Sequence, residues 1–146
     1  MSAAVIDRAM KTKQSAAASQ PCVVTRDTLN TAQEHLVICR SILAHVIGAT
    51  ASADHTFSPH TLRRSISFAN RLLTEVCYEP WNGHIETCFH ELAALLYLLE
   101  KAGFEVDSCG KCEQAFSHEI MTDMLLGANI ALDEVIAMLT DGGSLE

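Results

Sequence analysis

Apolar side chains return every third or fourth residue along four stretches of this chain, a period that commits the backbone to helices packed on one another. The clearest stretch is Leu29, Ala32, Leu36, Cys39, Leu43 and Val46, spaced by 3, 4, 3, 4 and 3 residues. A helix turns once in 3.6 residues, so these side chains share one face, whereas a half-buried strand would alternate. The repeat makes a seam of the kind that two helices bury against each other. Val37, Ile38 and Ile42 widen the apolar surface beyond one stripe, which predicts contact with more than one neighbour.

This pattern predicts an all-α antiparallel bundle of four main helices, over about 27–47, 59–78, 84–102 and 109–140. Thr25 or Asp27 can cap the first, and Gly48–His55 reads as a loop. Ser58-Pro59 opens the second, whose stripe is Leu62, Ile66, Ala69, Leu73 and Val76, and the turn around Pro80 ends it. The third carries Ile85, Cys88, Leu92, Leu95, Leu99 and Ala102 and is apolar almost all round between Leu92 and Leu99. It is therefore expected to be the most buried, with Leu95 at its centre and Gly103 as its stop. The fourth is expected to start near Ser108, with Met121, Met124, Ala128, Ala131, Val135 and Met138 in one row and Leu125, Leu132 and Leu139 in another. At about 30 residues it would span about 45 Å against about 30 Å for its neighbours. The excess is expected to pack outside the protomer.

Only three prolines and seven glycines interrupt the 146 residues, about one domain's worth. Residues 1–24 read as a disordered or frayed tail, polar and small around Lys11–Pro21, ahead of a single domain over 25–146. The N-terminus shows no apolar core of a secretory leader. The longest uninterrupted apolar run, Leu92–Leu99, has eight residues, and a membrane-spanning helix needs about 20. Six scattered cysteines, several on apolar helix faces, suit a reducing, cytoplasmic setting better than a disulfide scaffold. Net charge is −8, divided as +3 over residues 1–78 and −11 over 79–146. An acidic chain repels phosphate backbones, so nucleic acid is not an expected partner. The acidic half has the charge to face a basic partner or the basic half of another copy.

Cys109-Gly110-Lys111-Cys112 is the sharpest local motif. In the first turn of a helix, the dipole and Lys111 would both favour a Cys109 thiolate. The motif resembles that of the all-helical alkylhydroperoxidase D class, which implies thiol–disulfide chemistry at Cys109 and Cys112. That family carries a His four residues after the second Cys; position 116 here is Phe, and His118 is rotated by about 240° from Cys112. The same thiols with His84 and Cys88 supply tetrahedral ligand types, but about 25–30 Å of helix separates the two pairs within one protomer. No metal or other cofactor is expected. Arg40-Ser41-Ile42-Leu43-Ala44-His45 resembles the Arg-x4-His motif of the HEPN ribonucleases, which implies RNA cleavage by Arg40 and His45 across a dimer. Glu86 and His90 have the wrong spacing for a di-iron bundle, and Arg63, Arg64 and Arg71 lack the neighbouring short helix of a DNA reader. Trp81, in the turn after Pro80, either closes one end of the bundle or anchors an interface.

No assembled catalytic set emerges, so the residues point to a non-enzymatic helical interaction module, a small regulator or adaptor that binds and occludes a protein partner. Self-association as a homodimer is the related expectation. The candidate binding surface is Met121, Met124, Met138, Leu125 and Leu132 with Trp81, because methionine suits adaptable apolar interfaces.

Overall fold

Thr25 opens the first helix: its hydroxyl accepts the Thr28 N–H at 3.0 Å and leaves α1 to run over Arg26–Ala51. In the computed structural model, which describes residues 24–52 and 58–144, the two following helices start with the same device. Ser58 caps α2 (Pro59–Cys77) by accepting the Thr61 N–H, with Pro59 preset for the first turn. Asn82 caps α3 (Gly83–Ala102) by accepting the Ile85 N–H. Two short antiparallel strands follow, β1 (Phe104–Val106) and β2 (Cys112–Gln114), before α4 (His118–Ser144). The expected tail, apart from Val24, lies outside the described residues, as do 53–57.

The four helices form the expected antiparallel bundle. α1 packs on α2 and α4, and α3 packs on the same two, so α1 and α3 lie on a diagonal. Gln33 on the Leu139 carbonyl, Arg40 on Asp133 and Thr122 on Thr50 mark α1 and α4 as antiparallel neighbours along their whole length. The core is the inward stripe of each helix, led by Leu36, Leu43, Ile66, Leu73, Phe89 and Leu125, none of which reaches solvent. No helix among the described residues is long and apolar enough to cross a membrane.

Two boundaries and one buried face differ from the sequence reading. α1 continues through Gly48 to Ala51, because Ala49 and Thr50 are buried and the Thr50 hydroxyl is held by Ile47 and Thr122. α4 starts at His118, not near Ser108, because residues 104–114 fold back as a hairpin. With 27 residues it matches the 26 of α1, its neighbour, so no length is left over to project outward. In α3 the buried stripe is Ile85, Cys88, Phe89, Leu92, Leu96 and Leu99, while Leu95 is only half-buried. A helix apolar on nearly every side gives no sequence signal for which leucines face inward; its neighbours decide.

Gly103 joins bundle to hairpin. Its N–H donates to the Leu99 carbonyl at 3.0 Å, and its own carbonyl accepts from Ala115 and Phe116. Its φ of −74° is open to any residue, but a Cβ there would meet the Leu99 oxygen at 2.5 Å. Close approach, not left-handed backbone, is what requires glycine.

Candidate functional site

The Cys-x2-Cys motif occupies the hairpin turn. Asp107 and Lys111 close it through an N–H to carbonyl bond of 3.0 Å, and the Gly110 N–H returns to the Asp107 carbonyl. The Asp107 carboxylate accepts the N–H groups of both Cys109 and Lys111 at 2.9 Å, and Gly110 takes the left-handed conformation at φ 87°. This is a three-residue hairpin loop built on a type I turn with glycine in the following bulge. Cys109 therefore has no helix N-terminus beneath it, and the dipole argument for its thiolate fails. Cys109 is exposed at the tip, whereas Cys112 is half-buried against the core. His118 meets Gln114 at 3.3 Å.

The other polar candidates are likewise kept apart. Arg40 reaches Asp133 at 3.4 Å, while His45 Nδ1 is 2.8 Å from the Ser41 carbonyl oxygen one turn back on its own helix. Both lie on the outside of α1, about 140° apart around its axis. Among the described residues no three His, Cys, Asp or Glu side chains cluster as metal ligands. His84 and Cys88 line a shallow groove between α3 and α4 with Glu91 and Glu134. Burial, and then the charges of Glu134 and Glu91, push the Cys88 thiol above its ordinary pKa.

The expected apolar binding row faces the other way. Met121, Leu125 and Leu132 are fully buried within the protomer, and Met124 and Met138 are half-buried. α4 is the fourth wall of the bundle, and its strongest apolar row is needed to close the core. Trp81 is also buried: its indole N–H donates to the Val76 carbonyl at 2.8 Å and its ring stacks on Phe89. It closes the α2–α3 end and offers nothing to a partner. The large apolar side chains most exposed on α4 are Ile120, Leu126 and Ile130.

A further surface feature is a groove between the outer faces of α2 and α3. It is lined by Asn70, Thr74, Cys77 and Tyr78 on one bank and by His90, Ala93, Ala94 and Tyr97 on the other. Asn70 donates to Glu100 at 3.3 Å across one end, which sets the antiparallel register and brings Thr74 level with Tyr97. The groove runs for about two helical turns, roughly 12 Å. Alanines keep its floor shallow, and the tyrosines form its rim, 78% and 58% exposed for Tyr78 and Tyr97. Lys101 lies 5.8 Å from the Tyr97 ring centre. Both tyrosines sit off the apolar stripes of their helices, a position where an aromatic ring gains no core burial; that was the available sequence signal.

No family profile, curated protein sequence or solved structure matches the chain.

Proposed function

We propose that the chain is a non-enzymatic protein–protein interaction module, a small helical regulator or adaptor that docks a partner protein and occludes part of it. The α2–α3 groove carries this reading. Tyrosine is enriched where binding energy concentrates, because it offers a large rigid area with a polar tip. Here two of them flank a floor of small side chains over a length that suits two turns of a partner helix. The setting is a reducing compartment such as the cytoplasm, a reading supported by five described cysteines that are all unpaired thiols, three of them buried.

The test is a Tyr78→Ala, Tyr97→Ala double variant. Both side chains are largely exposed, so the thermal midpoint should stay within a few degrees. Affinity capture followed by native mass spectrometry should show a stoichiometric complex with the unaltered chain and its loss with the variant. An unchanged complex would remove the groove from the interface.

Self-association is a second reading, favoured by a different face. Val37 on α1 and Leu126 and Ile130 on α4 are exposed on either side of the Arg40–Asp133 pair. A patch with one charge of each sign amid apolar side chains is self-complementary, as a two-fold interface requires. Sedimentation equilibrium should show a dimer that Ile130→Asp dissociates; a monomer at high concentration would end this reading.

A further inference from the structure

The charges around the α2–α3 groove point to the chemistry of its occupant. Arg63, Ser67, Arg71, Thr74 and Tyr78 fall at spacings of 4, 4, 3 and 4, one continuous outward stripe along α2 with Arg64 beside it. That stripe contains no acidic residue. The one acid of α2, Glu75, is turned toward α1, where it meets His35 at 2.8 Å. Among the described residues Arg63, Arg64 and Arg71 form no salt bridge. On the facing bank His90, Ala94, Tyr97 and Lys101 follow the same period. The nearby Glu100 is already engaged by Asn70 and Lys101, and only 11% of its side chain is exposed.

A chain of net charge −8 thus carries Arg64 and Arg71 toward one end of its aromatic groove, the end where β2, with Glu113 already paired to Lys111, packs on α2. The far end, past His90, carries the exposed Glu86. The chain as a whole is acidic, so an acidic partner gains most where arginines gather without paired acids, as along this face. The charge gradient along the groove also fixes its direction.

We infer that the groove receives an amphipathic acidic helix of a partner protein, two apolar side chains a turn apart seated between Tyr78 and Tyr97 and its carboxylates over Arg64 and Arg71. This rests on the interaction-module reading and adds the partner's chemistry to it. Arginine suits the role, since its planar guanidinium pairs with carboxylates in two-pronged fashion. Single-stranded RNA also likes arginine and aromatic rings, but the net negative charge of the whole chain and the brevity of the groove favour the peptide.

The experiment is selection of randomised 16-residue helical peptides, displayed on phage, against the immobilised full chain. Recovered peptides are then titrated by fluorescence anisotropy at low and high salt. The expected result is enrichment of net-negative sequences with apolar residues three or four apart. Their affinity should fall at least tenfold in Arg64→Glu, Arg71→Glu and again in Tyr97→Ala, and should weaken with salt. Neutral or basic sequences that depend on Tyr97 but not on the arginines would overturn the acidic partner and leave the interaction module standing. Sequences indifferent to all three positions, or no enrichment, would overturn both. A 20-nucleotide oligouridine that binds more tightly than the best peptide, through the same arginines, would assign the face to RNA instead.

Discussion

Trp81 lies on Phe89 with ring centroids 5.3 Å apart and planes inclined by 29°, so a residue from the α2–α3 turn and one from the second turn of α3 share one hydrophobic unit. Removing the indole in Trp81→Ala opens a cavity at the end of the bundle and should cost about 3–5 kcal/mol. Trp81→Phe keeps most of the ring contact but leaves the Val76 carbonyl without its donor, a loss of about 1–2 kcal/mol. Urea titrations followed by circular dichroism give both values. In the unaltered chain the only tryptophan should resist acrylamide quenching until the bundle unfolds.

Leu95 and Leu96 distinguish the two possible faces of α3. Leu96 is wholly buried and Leu95 only half. Leu96→Ala should therefore cost about 2–5 kcal/mol, and Leu95→Ala well under half of that. Equal losses in thermal melts would mean that α3 is rotated about its axis from the position described above.

The hairpin turn depends on Asp107 and Gly110. Asp107→Ala leaves two backbone N–H groups without their acceptor, and Gly110→Ala forces a left-handed φ on a residue with a Cβ. Each should loosen the turn by about 1 kcal/mol, read as faster hydrogen exchange at Lys111, with a small change in the global midpoint because the tip touches little of the core. Among the described cysteines, iodoacetamide should label the exposed Cys109 first and the buried Cys39 last.

Alkaline pH should destabilise the bundle through Cys39. Burial raises its thiol to about 12, and its Sγ–H donates to the Ala69 carbonyl at 3.3 Å. Above the ordinary thiol pKa of about 8.5 the unfolded chain loses this proton while the native chain keeps it. The native state then binds more protons, and stability falls as pH rises, by at most about 1.4 kcal/mol per pH unit from this group. Burial moves Cys77 and Cys88 the same way. Cys39→Ser keeps a donor to Ala69 and cannot ionise in this range. Its stability should decline less steeply between pH 9 and 11 in urea titrations, whatever its value at pH 7.

The bundle was legible because its information is repeated: every turn of α1 and α2 restates which face is inward, through Leu29 to Val46 and Leu62 to Val76. The hairpin states itself once. Asp107 at the first turn position and Gly110 at the fourth are the signal, flanked by the brief runs Phe104–Val106 and Cys112–Gln114. Each run has three residues, too few for a period, and Ser108 ahead of two cysteines imitates a helix cap. The groove was hidden for another reason. Tyr78 and Tyr97 are 19 positions apart, and only the antiparallel register set by Asn70 and Glu100 brings their banks together. Sequence periodicity finds the side of a helix that faces the core; it says little about which outer faces become neighbours. The Met121–Leu132 rows misled for the same reason, since an apolar row looks alike whether it closes its own core or covers another molecule.

The clasp between Thr122 and Thr50, at 2.8 Å, secures the end of α1 to the start of α4. At the opposite end Gln33 touches the Leu139 carbonyl, which puts the beginning of the first helix beside the finish of the last. The described residues thus suit a permuted order: the start of α1 and the finish of α4 can be joined by a short flexible linker, with new ends at Ser52 and Ser58 and all four described helices kept whole. A linker twice as long adds only about 0.6 kcal/mol of closure entropy. A permuted gene of this kind would carry the aromatic groove unchanged to a fresh pair of termini, where a reporter can be fused at the far end of the bundle from Trp81.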